Sequence, residues 1–293
     1  MHKEIHPHHP WTKSIPANRD RLQSSLLVWT LPPLLYVLTA LRLISLHFNG
    51  LPQQLLAPAA IASTFALLVV LLRAATLPAA LLGAVICFNF LTAPTSPASP
   101  HHGLWTAPAF PALIALFVFT FLATRFGCLQ KQSAGLAESR HGRRAAQVAA
   151  NLGIAGLCAF AGWHLACIAA LAQATADTVS SEIGQALQAP TFLITTGHPV
   201  PRGTDGGVSL AGTIWGTAAA AIVVVLTFLV AHLPWASALL CWFAACVGLA
   251  FDSLLGATLE RRGLLGNDLV NLTSTAFAAT LALALHALVT ATR

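Results

Sequence analysis

The chain has 293 residues, 56% hydrophobic and only 8% charged, with a formal charge of +6 and a mean hydropathy of +0.74. A soluble domain carries about 25% charged residues, so that class is excluded. The apolar runs do not alternate with polar residues as outer-membrane barrel strands do, so the composition predicts an all-α polytopic helical membrane protein. The positive balance fits membrane topology better than a nucleic-acid partner.

Residues 1–23 form a polar tail with no small-residue cleavage site, so no secretory signal peptide is expected and the first span reads as an uncleaved anchor. A span needs about 20 apolar residues. By that rule, spans fall at about 24–46, 55–72, 76–93, 108–125, 145–162, 165–187, 207–231, 235–258 and 267–289, nine in all. The run 145–187 is too long for one span and breaks at Gly162-Trp163-His164. Pro32-Pro33 and Pro108/Pro111 are expected to kink or end helices. The predicted organisation is a tail (1–23), N-terminal membrane helices (24–106) and a membrane catalytic domain (107–293). The six cysteines form no C-x-x-C pair and read as buried, inert thiols.

Sidedness follows from the basic residues. With a cytoplasmic N-terminus, the inner segments hold Lys3, Lys13, Arg19, Arg21, Arg73, Arg125, Lys131, Arg140, Arg143, Arg144, Arg202, Arg261 and Arg262. Of the 15 basic residues only Arg42 and Arg293 remain. Beyond Glu4 and Asp20 in the tail, the acids are Glu138, Asp177, Glu182, Asp205, Asp252, Glu260 and Asp268. All of these fall in inner loops or at inner span ends. Polar chemistry is therefore expected on one face, in the C-terminal half.

Four stretches carry that chemistry. The first, TRFGCLQKQSAGLAESRHGRRAAQ at 124–147, reads either as a positive-inside loop beside anionic headgroups or as a folded loop that binds phosphate. In the second, ATADTVSSEIG at 174–184, Asp177 shares a helix face with Ser180, Ser181 and Gly184. Glu182, five residues on, points about 140° away, and a neighbouring helix would be needed to bring both acids to one cation. Intramembrane acids bind helix to helix or serve function. The third, TTGHPVPRGTDGGVSLAGT at 195–213, places Gly203, Gly206 and Gly207 around Thr204 and Asp205 just before a span. Such a loop is a ready anion site, although Thr204 or Asp205 would also serve as an N-cap. Gly212-x-x-x-Gly216 in the same run predicts close helix packing. In the fourth, FDSLLGATLERRGLLGNDLVN at 251–271, capping explains Asn267 or Asp268 but not Asp252 inside the span.

No P-loop, G-x-S-x-G elbow or H-E-x-x-H occurs. The histidines at 2, 6, 8 and 9 and the pair at 101–102 read as parts of a tail and an outer loop. Carboxylates that hold Mg²⁺ need waters and substrate phosphates to complete an octahedron. Phosphoryl transfer asks chiefly for positioning and charge stabilisation.

The runs KQSAGLAESRHGRRAAQVAAN, ADTVSSEIGQ, LITTGHPVPRGTDGGVSLAGT and FDSLLGATLERRGLLGNDLVN resemble an integral membrane family of bacterial proteins that includes plant phytyl-phosphate kinase and a vertebrate transmembrane protein. The likeness spans about residues 110–290. It implies phosphoryl transfer from a nucleoside triphosphate, with CTP expected, to an isoprenoid monophosphate. The basic-residue topology puts the site on the cytoplasmic side, and a bacterial cytoplasmic membrane is expected. On the phosphoryl-transfer reading Asp177, Glu182 and Asp252 hold Mg²⁺. Lys131, Arg140, Arg143, Arg144, Gly203, Thr204, Gly206, Gly207, Asn267 and Asn271 hold nucleotide and phosphates. Asp205 or Asp268 orients the acceptor or binds a second metal. His141 stands where the family leads one to expect a smaller residue. A cation-coupled transporter or lipid flippase and a lipid nucleotidyltransferase are the alternative readings.

Overall fold

A computed structural model describes residues 15–48, 55–94, 107–137 and 142–291. The helices are α1 (Ala17–Phe48), α2 (Leu56–Leu71), α3 (Leu77–Leu91), α4 (Ala109–Arg125), α5 (Cys128–Ser133), α6 (Ala145–Phe160), α7 (His164–Ala186), α8 (Leu210–Ala231), α9 (Trp235–Leu255) and α10 (Asn267–Ala291). All but the short α5 fall on the nine apolar stretches read from sequence. Four are long and apolar enough to cross a membrane: α1, α8, α9 with its π-helical extension to Glu260, and α10. The helices α2, α3, α4 and α6 have 15–17 residues. At about 1.5 Å per residue they are shorter than the usual span.

The helix breaks have local causes. α6 and α7 separate at Gly162, whose φ of +75° suits glycine. Pro32 and Pro33 do not end α1, which runs through both. Pro108 is the N-cap of α4 and Pro111 lies in its first turn, where a missing N–H costs no helix bond.

α7 is the hub, in contact with α4, α6, α8, α9 and α10. Its first half is a buried run of Ala166, Cys167, Ile168, Ala169, Ala170, Leu171 and Ala172. These mostly small side chains let neighbouring helices approach closely. The α8 glycines complete the fit: a methyl group on Gly216 would lie 2.5 Å from the Ala176 carbonyl oxygen, and one on Gly212 would lie 2.5 Å from that of Ser180. The expected G-x-x-x-G packing is therefore present. The opposite surface is apolar too. Trp29 on α1, Leu229 on α8 and Leu239 on α9 are all more than half exposed, as a lipid-facing belt requires and a soluble surface avoids.

Hydrogen bonds tie the expected inner segments into one end of the bundle. Arg19 donates to Gly263 O (2.7 Å), Gln23 Nε2 to Leu264 O (2.8 Å) and Ser24 Oγ to Asp268 Oδ2 (2.6 Å), joining the start of α1 to the α9–α10 turn. The Arg143 N–H donates to Ala74 O, and the Thr76 N–H to Arg143 O, each at 3.0 Å. Those bonds fasten the segment before α6 to the α2–α3 turn. At the far end, Arg42 donates to Thr92 O (2.7 Å) and Phe160 O (2.8 Å). It thus caps the C-termini of α3 and α6, where a cation opposes the helix dipole. This explains the one basic residue that charge topology left inside a span.

Candidate functional site

Between α7 and α8 the chain forms a hairpin, with β1 (Phe192–Leu193) paired antiparallel to β2 (Gly207–Val208). Its loop carries Gly203 and Gly206, at φ +78° and +74°. A methyl group on Gly206 would sit 2.2 Å from the Ala257 nitrogen, and one on Gly256 would sit 2.7 Å from the Gly206 nitrogen. The glycines let this loop dock backbone to backbone on the π-helical turn Gly256–Glu260. Such turns recur at functional sites. The N-cap of α8 is Ser209, whose Oγ accepts from the Gly212 N–H at 3.1 Å. Thr204 and Asp205 are therefore not caps, and both face a cavity.

That cavity, of about 370 Å³, lies at the bundle end that holds the inner segments. α7 contributes Asp177, Ser180, Ser181 and Gly184, the face predicted from helical spacing. The hairpin adds Arg202, Gly203, Thr204, Asp205, Gly206 and Gly207. α9 and the turn after it add Asp252, Ser253 and Glu260, and α10 adds Asn267. Four carboxylates (Asp177, Asp205, Asp252, Glu260) thus face one guanidinium, Arg202. Asp177 of α7 and Asp252 of α9 line this cavity together. Ser274 Oγ donates to Asp252 Oδ2 at 2.7 Å and accepts from Gln173 Nε2 at 3.2 Å, which holds Asp252 from behind. Two carboxylates facing one cavity repel unless a proton or a cation lies between them.

Not every expected residue joins. Glu182 turns away from Asp177, as its 140° offset implies (about five steps of 100°), and forms a buried ion pair with Lys131. The Lys131 ammonium also donates to Ala123 O (3.2 Å) and Thr124 O (2.8 Å). With its three donors so used, Lys131 pins α5 to the end of α4 and to α7 instead of facing a phosphate. Of the expected Asp177–Glu182–Asp252 set, Asp177 and Asp252 line the cavity, whereas Glu182 is paired with Lys131. Among the described residues no three His, Cys, Asp or Glu side chains gather closely enough to ligate one ion. Asp268 accepts from Ser24, and Asn271 is buried beneath Asn267 on α10, its carbonyl accepting from Thr275 Oγ1 at 3.0 Å. Arg144 is exposed, its N–H bonded to Gln147 Oε1 at 2.8 Å. Arg143 donates to Thr178 Oγ1 at 3.4 Å and acts on the Asp177 charge, but it lines a different cavity. Glu138, Arg140, His141 and the N-terminal and 101–102 histidines lie outside the described residues.

The sequence reading missed Arg202 and Glu260 as site residues. Arg202 stands next to Gly203 in a stretch already singled out, and its NH1 donates to Gln185 O at the end of α7 (2.9 Å). Glu260 reads from sequence as part of the inner turn Glu260-Arg261-Arg262, and the π-helical geometry buries it.

Residues 60–279 match the profile of the integral membrane protein DUF92 family. The chain belongs to that family. The DUF92 match begins within α2, well before the stretch near residue 110 where the likeness was first legible. An uncharacterized membrane protein of Synechocystis is 34% identical over 199 residues, covering 63% of this chain and 77% of that protein. The chloroplastic protein VTE6 of Arabidopsis thaliana is 33% identical over 178 residues, 55% of this chain and 54% of VTE6. An uncharacterized membrane protein of Methanocaldococcus jannaschii is 32% identical over 170 residues, covering 56% of this chain and 70% of that protein. No solved structure matches this DUF92 chain.

Proposed function

We propose that this protein is a membrane-embedded kinase that transfers a phosphoryl group from a nucleoside triphosphate, CTP by family resemblance, to an isoprenoid monophosphate. The supporting observation is the cavity in which Asp177 and Asp252 meet the glycine loop 203–207. The donor set is hard carboxylate oxygen, which suits Mg²⁺ bound through one or two carboxylates plus waters and phosphates. Asp177 and Asp252 are the residues that would hold it, and bound Mg²⁺ would neutralise phosphate charge. Arg202, beside the glycine loop 203–207 on the cavity wall, binds nucleotide phosphates. Asp205 and Glu260 orient what enters. In the reaction an acceptor phosphate oxygen forms a bond to the γ-phosphorus while the bond to the β–γ bridging oxygen breaks, releasing a nucleoside diphosphate. A phosphate monoester has its second pKa near 6, so the acceptor is already ionised and needs no general base.

The test is purified protein with phytyl or geranylgeranyl monophosphate, CTP and Mg²⁺, with products weighed by mass spectrometry. Prenyl diphosphate is expected. A nucleotidyl lipid would identify a transferase of the other kind, and no product with any nucleotide or chain length would overturn the assignment. Asp177→Asn and Asp252→Asn are each expected to lower the rate by at least about 100-fold, the order lost with a key electrostatic group.

A further inference from the structure

The carboxylate cavity extends beyond its acids. Thr213 and Thr217 of α8 line it, as do Cys246, Leu249 and Ala250 of α9. A spacing of four residues puts Thr213 and Thr217 on one helix face, and likewise Cys246 and Ala250. The cavity therefore follows the seam between the two helices. This part lies within the bundle and not at its end. At about 1.5 Å per residue, Asp177 stands about 14 Å along α7 from Ala186, and Thr217 about 10 Å along α8 from Leu210. Thr213 and Ala250 line the cavity and are also exposed, so the seam opens sideways. Leu210, Ile214 and Leu254 beside them are 77%, 56% and 43% exposed, which makes the surrounding face a lipid-facing one. At the deep end of the seam, Trp242 Nε1 of α9 donates to Thr217 O of α8 at 3.0 Å and ties the two helices together.

We propose that the α8–α9 seam is a lateral entrance by which a single-chain lipid monophosphate reaches the carboxylate cavity from the bilayer. Its phosphate lies at the end lined by Asp177 and Asp252, and its chain leaves between Thr213 and Ala250. The inference rests on the kinase reading above and names where the acceptor's chain runs. An isoprenyl chain drawn into water loses hydrophobic stabilisation at every carbon exposed. The acceptor therefore keeps its chain in hydrocarbon, and a cavity at this depth must meet it through a side wall. The seam is such a wall, with small side chains at its lip. Trp242 ties α9 to α8 beyond Cys246, so the chain turns out into lipid instead of continuing inside the bundle. The hairpin with Arg202 and the glycine loop stands at the bundle end, so nucleotide and lipid enter by separate routes and their phosphates meet at the acids.

Photolabelling tests the entrance without requiring turnover. The full chain in lipid nanodiscs with Mg²⁺ is irradiated with a geranylgeranyl monophosphate that carries a diazirine on its first isoprene unit, and labelled peptides are read by mass spectrometry. Label is expected on α8 around Thr213 and Thr217 and on α9 around Ala250, suppressed by excess unlabelled geranylgeranyl monophosphate and not by geranylgeraniol. Thr213→Trp and Ala250→Trp crowd the lip at exposed positions. Each should lower that competed labelling, and the ratio of kcat/KM for geranylgeranyl over short, soluble dimethylallyl monophosphate, by at least about tenfold, the order expected of overpacking. Leu239→Trp, lipid-facing at the other end of α9, should change neither. Competed labelling at Phe65 or Leu113 instead, in the apolar cavity between α2, α3, α4 and α6, overturns the proposal. So does seam labelling that excess monophosphate leaves undiminished, or an acceptor ratio unchanged in both tryptophan variants. Competed seam labelling in a protein that makes no diphosphate upholds the entrance and sinks the kinase reading. Diphosphate formation with the label elsewhere does the reverse.

Discussion

Lys131 and Glu182 show how much a buried charge depends on its partner. Their side chains are 1% and 11% exposed. Removing one partner leaves an uncompensated buried charge, at a cost of about 3–5 kcal/mol. Lys131→Met or Glu182→Gln alone should therefore lower stability by that order, measured by denaturant titration in detergent. The double variant Lys131→Met/Glu182→Leu should recover most of the loss, because a matched apolar pair replaces a matched ionic one. Failure of the double variant to recover would show that local packing, not the unpaired charge, sets the loss. Asp252 differs, since it faces the cavity and its support from Ser274 is one hydroxyl hydrogen bond. Ser274→Ala should remove about 1 kcal/mol of stability, a far smaller effect than the expected loss of rate in Asp252→Asn.

Close approach between elements is set by glycine at two places. At the hairpin, Gly206 allows the loop to lie on the π-helical turn. Gly206→Ala places a methyl group into the Ala257 backbone and demands an unfavourable left-handed φ. The loop should lift, with transfer activity lost and the helical bundle intact, as read by product formation against circular dichroism. At the α7–α8 contact, Gly216→Leu should force two helices apart and destabilise the whole bundle by about 1–3 kcal/mol or more. Arg42 works in the opposite sense, drawing the ends of α3 and α6 together through their carbonyls. Arg42→Gln should cost about 1–3 kcal/mol, the range for losing charged hydrogen bonds.

Across the whole molecule, the contacts gather the α9–α10 turn, the α2–α3 turn, α5 and the hairpin at one end, and Thr92, Phe160 and His164 at the other. His164 makes its ring contact with Pro94 O there, at 2.8 Å. The excess of Lys and Arg at the first end predicts that it faces the cytoplasm. In a cysteine-free background, Leu129→Cys and Leu264→Cys should react with a membrane-impermeant thiol reagent only from the cytoplasmic side, and Trp163→Cys only from the opposite side. Labelling of Leu129→Cys from outside would reverse the orientation and place the carboxylate cavity away from nucleotide.

Helix positions and the polar end of the bundle were legible before any coordinates, because apolar length and basic bias are properties of composition along the chain. The Asp177–Ser180–Ser181–Gly184 face was legible for a similar reason, since helical periodicity fixes which residues share a side. What periodicity cannot supply is the identity of the facing residue. Glu182 was read as a metal ligand because nothing local shows that Lys131, 51 residues earlier, is folded beside it. Arg143 read as one member of a basic cluster until its strand-like contact with the α2–α3 turn placed it in another cavity. Glu260 reached the site only through a π-helical turn shaped by the docked glycine loop. Each of these outcomes depends on long-range packing between helices, whose geometry no stretch of sequence carries alone.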